Sequence, residues 1–488
     1  MEIMDGPQKL GQGRAGAEDI QHRGSGRDRY RVKSTAFSLT ASEVPRLLEA
    51  KLGPLMPYSL PLYRRIEFHL TRQQQPISES SSAKVFVAVA ADSHAEDDTD
   101  DAEYIDKWLA EDEDVAATTT SPTTTNGART TSTSTSAPWI AAYIDLEHYG
   151  QTQVWVFASW EHEYQFQCQQ IDRVSEPLPK PDSENLRSEA KDTDTDPDPR
   201  HKSLMITLFK YIYTTLIPQM PTSPNDEWLV LKRTGKSLTL PYSRNKILFG
   251  TINTPLLQWI PEHARARIDD GYLKYVFEIN IDNDESKSSS SSSDPSSTSS
   301  STTSSSSRES DTPLPPGYIF RPMRSEHLQT VLDRSVIPRT LRTLKQLPSL
   351  GVFIDQPQNP RPPLESEHGY GQGHESKPVA WGFLGKDASL SSLHTEPEHR
   401  GKGLAAGLAR ELLRQSTSRS STQACVNGEQ HNSSNRGGGQ NSYFAHSDVS
   451  VSNKQSRRVM EKLGGVPMWK VAWVEADLSV VLDILGPS

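Results

Sequence analysis

The sequence predicts a mixed α+β protein, with α/β character, built in two ordered parts, and three observations carry that expectation. Short runs rich in β-branched and aromatic residues alternate along the chain with stripes of apolar residues at helical spacing. The tract from Ser286 to Asp311 is dominated by serine and threonine, cannot bury a core, and reads as a tether between the two parts. Hydrophobic residues make up only 34% of the 488, with a mean hydropathy of −0.64, so the packed material is smaller than the length suggests.

Residues 1–32 mix Arg with Asp and Glu around no apolar centre, and read as a disordered tail rather than a secretory signal; the acids also weaken a mitochondrial reading. Residues 33–283 read as an α+β domain. In it Ile66, Phe68 and Leu70 alternate with Glu67 and His69 as a strand would, and "KVFVAVA" (84–90) is a second strand. "PWIAAYIDLEHYGQTQVWVFASW" reads as two strands joined by a turn at Gly150. Leu204, Leu208, Ile212 and Leu216 make a helical stripe over 203–217. Two polar stretches, 93–136 and 173–202, read as disordered insertions, and the acidic run 96–114 within the first reads as solvated.

Beyond a linker at 284–313, residues 314–488 read more cleanly, in the order β-α-α-β-β-β-α-β-α-β. The strands are "GYIFRPM", "LGVFID", "KPVAWGFLG", "ASLSSLHTE", "YFAHSDVSVS" and "VPMWKVAWVEADL". "SEHLQTVLDRS" and "PRTLRTLKQL" are short helices, and "NKQSRRVMEKLGG" is another before the last strand. The remaining helix starts after Gly403 with Leu404, Leu408 and Leu412 on one face, and is followed by a disordered insertion at 416–441.

The bulk properties narrow the partners. A net charge of −10 argues against nucleic acid, whose binders carry a basic surface. No window approaches the ~18 apolar residues of a membrane span. Cys168 and Cys425 form neither a disulfide framework nor a zinc pattern, which favours a reducing compartment, the cytoplasm first, with mitochondrion and nucleus left open.

The most informative stretch is "HTEPEHRGKGLAAGLARELLRQ", His394 to Gln415. The first N–H groups of a helix lack intrahelical partners and sit at the positive end of its dipole, so together they attract anions. Gly401 and Gly403 let the main chain turn sharply against an oxygen ligand, while Arg400 and Lys402 add charge. A diphosphate is the natural guest; the plain alternative is that the glycines only turn the chain and the cations face water. No Gly-Lys-Ser/Thr follows, so this is no Walker loop, and it fits a Rossmann fingerprint poorly.

Arg400-Gly401-Lys402-Gly403-Leu404-Ala405, after a strand and opening a helix, resembles the acyl-CoA pyrophosphate motif of the GCN5-related N-acetyltransferase (GNAT) superfamily. "AWGFLGKDASLSSLHTEPEHRGKGL" and "YFAHSDVSVSNKQSRRVMEKLGG" are similar to its glycine N-acyltransferase and FR47-like branch. The resemblance covers about 315–480; over 35–283 it is faint, in "SLPLYRRIEFHL" and "VFASWEHE", and implies a degenerate half of similar fold without the glycine loop. It implies a splayed mixed sheet in the C-terminal domain and acetyl-CoA or another acyl-CoA as co-substrate, with no metal.

By the same resemblance the pantetheine arm pairs with the strand ending at Leu393, His394 and Thr395, and the loop from Arg400 to Ala405 takes the diphosphate. Asn453 touches the pantetheine; capping of the next helix by Ser452 or Asn453 is the plain alternative. A primary amine must lose a proton before it attacks, so a base is needed. Ser389 stands where relatives carry a glutamate, which leaves Asp387, two residues earlier on the same strand face, as the first candidate. His394 and Glu396 are further candidates, and His446 and Asp448 lie near the expected cleft. Met460 replaces the tyrosine that many members use as the acid.

Among the distractors, "LKRTGKSLTL", read as following a strand, has Val230 where a Walker loop needs glycine. "EHEYQF" and "HGYGQGHE" lack metal-ligand spacing. The expected function is acyl transfer from CoA to a small-molecule amine or amino acid, with a protein lysine or N-terminus as alternative acceptor. An acyl-CoA-binding protein without turnover and a scaffold with Ser-rich segments stay open.

Overall fold

A computed structural model of the chain describes residues 30–72, 82–92, 99–111, 137–163, 198–235, 239–280, 314–335, 337–355, 377–426 and 442–486. The first part runs β1 (Tyr30–Ser38), α1 (Glu43–Arg46), α2 (Leu60–Arg72), β2 (Lys84–Asp92), α3 (Asp101–Ala110), β3 (Trp139–Ile144), β4 (Val154–Ala158), α4 (Pro199–Tyr211), α5 (Asp226–Arg233), β5 (Lys246–Asn253) and β6 (Arg265–Asn280). The second runs β7 (Tyr318–Pro322), α6 (Leu328–Arg334), α7 (Leu341–Gln346), β8 (Ser349–Ile354), β9 (Ala380–Leu384) and β10 (Leu390–Thr395). It finishes with α8 (Leu404–Val426), β11 (Ser442–Ser450), α9 (Lys454–Lys462), β12 (Val466–Asp477) and α10 (Leu478–Leu485). The second part follows the order its sequence predicts, with α10 added.

The strands form two sheets. The larger has the order β1-β2-β3-β4-β5-β12-β6-β11, the smaller β10-β9-β8-β7. Neighbours are antiparallel except β4 and β5, which run parallel and meet at one pair, Val154 with Phe249. The last two strands of the chain therefore complete the sheet of the first part: β12 lies between β5 and β6, and β11 extends β6 over Ser442–Ser450.

Alternation along β2 explains the layers. Phe86, Ala88 and Ala90 pack with Leu204, Leu208 and Phe209 of α4, whereas Val85, Val87 and Val89 pack with Leu62, Ile66, Ile105 and Leu109 of α2 and α3. Both faces are covered, so the strand reads as one continuous apolar run. On the smaller sheet Leu404, Leu408 and Leu412 of α8 cover one face, and Leu328, Val331 and Leu344 of α6 and α7 cover the other against Trp381 and Phe383.

Six expectations need correction. Ile66 to Leu70 is helix, in α2, because the buried stripe is Leu62, Arg65, Ile66 and His69 at spacing i, i+3, i+4, i+7, and two of the four are polar. The first insertion holds α3, whose Ile105 and Leu109 are buried while Asp101 pairs with Lys33 and Asp106 with Arg46, so that acidic run is not all solvated. α8 continues to Val426, past the expected break at 416, and β1 begins at Tyr30, inside the expected tail. "LKRTGKSLTL" follows the helix α5, not a strand. The expected linker 284–313 and the stretches 112–136, 173–197 and 427–441 lie outside the described residues, whereas 199–202 already belong to α4.

Candidate active site

β9 and β10 are joined by a tight turn in which Ala388 N donates to Gly385 O at 2.9 Å and Gly385 N to Ser389 O at 2.7 Å. Asp387 is therefore in that turn, not on a strand face shared with Ser389, and β10 starts only at Leu390. Its Oδ1 accepts from Ser389 N at 3.1 Å and Ser389 Oγ at 2.6 Å. A side chain at Gly385 would stand 2.6 Å from that same oxygen, which is why the turn needs glycine there. Burial pushes the Asp387 carboxyl up, but the Lys274 ammonium and the Ser389 hydrogen bonds help hold the group below its usual range.

β10 pairs with β9 and carries a bulge between Ser391 and His394, where Ser392 has φ +51°. Its other edge faces β11 with no ladder pairing, since β11 pairs with β6. Two side chains of β11 fix the apex of this wedge: His446 Nε2 donates to Asp387 O at 2.8 Å, and Ser447 Oγ to Leu390 O at 2.8 Å. Along the rest of their length no ladder pair joins the two strands. Ser392 Oγ and Thr395 Oγ1 are buried there without hydrogen-bond partners among the described residues, and His394 Nε2 lies 3.5 Å from Glu396 Oε2. Two unsatisfied atoms on one strand suit a polar ligand, because an unsatisfied buried polar group is costly.

The wedge opens toward the glycine loop. Gly401 and Gly403 have φ +77° and +80°, and α8 starts at Leu404. Among the described residues none accepts a backbone hydrogen bond from the amides of residues 401–405. Arg400 Nε donates to Thr395 O at 3.0 Å, tying the loop to the end of β10. Lys402 Nζ donates to Tyr318 Oη at 2.8 Å, and that hydroxyl lies 2.9 Å from His399 Nδ1. Leu404 is buried and Ala405 half-buried. On the facing wall Asn453 caps α9, its Oδ1 accepting from Ser456 N at 3.0 Å, so of the two capping candidates it is Asn453 that acts.

At the apex end a cavity of about 420 Å³ opens between the two parts. Asp387, Ser389, Leu390, Ser391, Ser392 and Asp448 line it from one side, and His148, Trp155, Thr251, Tyr272 and Trp473 are among those facing them. Of the sequence candidates, Asp387 reaches this cavity. His394 and Glu396 do not line it: His394 stacks on Trp381 with ring centroids 4.4 Å apart, and Glu396 binds Arg334 at 3.2 Å. Met460 is buried in the core below α9.

Sequence reasoning misses what the first part contributes. Lys274 of β6 is fully buried, and its Nζ donates to Thr251 Oγ1 at 2.6 Å, to Asp448 at 2.7 Å and to His446 Nδ1 at 3.3 Å. With Nε2 donating and Nδ1 accepting, His446 is neutral; burial first and the Lys274 charge second lower its pKa to about 4. Across the cavity His148 Nδ1 lies 3.4 Å from Asp145 Oδ2, with Lys386 at its other nitrogen. Burial and the Lys386 charge hold His148 well below its ordinary pKa, so it too is neutral. No local signal marks these residues; only the pairing of β6 with β11 brings Lys274 to Asp448.

Residues 33–275 match the family model described as the acyl-CoA N-acyltransferase verG N-terminal domain. No curated protein matches the chain. Among solved structures, one of a Drosophila protein aligns over 91% of this chain and 98% of its own at 11% identity and a TM-score of 0.43. A tandem GNAT protein from the clavulanic acid biosynthesis pathway aligns over 94% and 100% at 9% identity and a TM-score of 0.36. A GCN5-related N-acetyltransferase from Kribbella flavida aligns over 47% and 67% at 11% identity and a TM-score of 0.25. No helix of the described residues is long and apolar enough to cross a membrane.

Proposed function

We propose that this chain, which belongs through residues 33–275 to the acyl-CoA N-acyltransferases, carries an acyl group, acetyl in the simplest case, from CoA to the primary amine of a small molecule or amino acid. The observation that carries the reading is the unpaired wedge between β10 and β11, which points from the cavity to a loop of uncommitted amides.

Each part of the site then has a task. The amides of residues 401–405 and the Arg400 cation take the diphosphate of acyl-CoA. The outer edge of β10, with Leu393, His394 and Thr395, lies along the pantetheine, and Asn453 meets it from the facing wall. An N–H of β10 polarises the thioester carbonyl, a contribution that is typically about 10²- to 10³-fold in rate. The amine approaches from the cavity, where anionic Asp387 aligns it. Its nitrogen forms the new C–N bond as the C–S bond breaks; the electron pair leaves with sulfur. The amine proton passes to the Asp387 carboxylate, the first base candidate in the sequence, while His148, engaged at one nitrogen by Asp145 and at the other by Lys386, lines the opposite wall.

The first part does not repeat this chemistry. Its β4 and β5 also part after one pair, but Glu161 Oε1 accepts from Ala158 N at 2.8 Å and so occupies the end of β4. No glycine loop follows. Its role is to wall the acceptor cavity.

Thiol release from acetyl-CoA against a panel of amines tests the proposal, with Arg400→Glu as control. Transfer to an amine, with CoA affinity at least tenfold weaker in the variant, is the expected result. Tight acetyl-CoA binding without thiol release for any amine would favour the non-catalytic binding reading, to which buried Met460 in place of a tyrosine lends support. Absence of acetyl-CoA binding would defeat both.

A further inference from the structure

The cavity is unevenly charged. Asp448 is matched by Lys274, Arg267 Nε lies 3.4 Å from Asp269, Lys386 binds His148, and Asp387 is held by Ser389. Arg339, from the segment between α6 and α7, also lines the cavity, yet its Nη1 is buried without a hydrogen-bond partner, and it makes no ion pair among the described residues. Burial lowers its pKa, and the one charge that works against this is the Asp387 carboxylate. A guanidinium stays protonated regardless and presents a planar fork of donors, so a buried one left short of acceptors marks a place for an anion.

Arg339 is also held in place. Next to it Thr340 Oγ1 donates to Glu227 Oε1 at 3.2 Å, and Thr343 Oγ1 donates to Gln151 Oε1 at 2.8 Å, so its segment is pinned to the first part. Around it the walls are apolar: Trp155, Trp473, Tyr272, Leu347 and Ile337. At about 30 Å³ for each water-sized group, a cavity of this volume takes roughly a dozen heavy atoms, far more than the smallest amino acid.

We propose that Arg339 is the specificity-determining anchor of the acceptor, which is a primary amine bearing a carboxylate and an apolar, ring-sized body. The carboxylate pairs with Arg339 and the ammonium with Asp387, so both charges of a zwitterion are met while the ring packs on the tryptophan walls. This deepens the acyl-transfer reading and rests on it.

The test compares L-phenylalanine with phenethylamine, which lacks only the carboxylate, as acceptors for acetyl-CoA. In the unaltered protein kcat/KM favours the acid, and Arg339→Met reduces that preference about 10- to 100-fold, mainly through the KM of the acid, as loss of a charged hydrogen bond implies. Arg339→Lys recovers part of the preference. Equal use of both amines by the unaltered protein overturns the proposal, as does a variant that loses both equally. Should neither amine be acylated, calorimetry with CoA and N-acetyl-L-phenylalanine against N-acetylphenethylamine decides: preferential, Arg339-dependent binding of the acid supports it, and binding of neither overturns it. Acetyl-CoA binding is measured separately, so failure of the acyl-transfer reading is told apart from failure of this one.

Discussion

Replacing Lys274 by methionine isolates the contact on which the wedge depends. The methionine fills the stem of the lysine but removes an ammonium that is fully buried and has three acceptors: Thr251, Asp448 and His446. At 2.7 Å from Asp448, the attraction at an effective dielectric of about 20 is roughly 6 kcal/mol before desolvation is subtracted. Removing one partner strands the other charge, and the usual net cost is about 3–5 kcal/mol. At roughly 2–4 °C per kcal/mol, thermal unfolding should begin at least 6 °C lower. Removing both charges, in Lys274→Met with Asp448→Leu, should recover most of that loss, because no buried charge is left unpaired. Urea and thermal unfolding read the stability. A single variant within about 1 kcal/mol of the parent, or a double variant whose cost is the sum of two large single costs, would refute the reasoning.

Reversal of the Arg400 charge by Arg400→Glu weakens CoA binding at least tenfold, about 1.4 kcal/mol, while the unfolding temperature stays near that of the parent, because this side chain is exposed. Burial raises Glu161 from 4.5 to about 8, so the folded protein keeps a proton that the unfolded chain has lost; this stability is present below pH 4.5 and disappears as the pH rises toward 8. The shift is worth about 5 kcal/mol, and Glu161→Gln should flatten the decline in unfolding temperature between pH 6.5 and 8. His446 acts at the other end: with its pKa lowered from 6.5 to about 4, stability is lost as the pH falls through that window, by about 3 kcal/mol. Expressed apart, residues 1–283 and 284–488 should be insoluble or unfolded by circular dichroism, and together they should copurify, because β12 sits between β5 and β6.

Where function rests on contiguous chain, the sequence is legible. The glycine loop, the end of the strand before it and the first turns of the helix after it fall within 22 consecutive residues, His394 to Gln415, and turn chemistry and helical period describe that stretch. α2 reads as a strand because its buried face carries Arg65 and His69. Both reach Tyr143 Oη, at 2.8 and 3.0 Å, and a polar pair matched by a distant hydroxyl leaves an apparent period of two among the remaining apolar residues. Asp387 reads as part of a strand because alternation alone cannot distinguish the last turn residue from the first strand residue. Lys274 is invisible for a different reason: 174 positions separate it from Asp448, and nothing near it in sequence says that β6 will pair with β11.

That pairing also explains why the wedge holds its opening. Two neighbouring strands with vacant edges would ordinarily close into a ladder, since unpaired edges attract any other edge. Here each is committed elsewhere, β10 to β9 and β11 to β6, in separate sheets. His446 and Ser447 fasten them at one end through side chains, and no main-chain pair joins them further along. The edges beyond must then find their partners in a ligand that is itself an extended chain of amides, the same logic by which a peptide adds to a sheet edge. β6 contributes both the ladder that holds β11 away and the Lys274 that fixes its side chains. A first part with no glycine loop of its own is thus still indispensable to the site of the second.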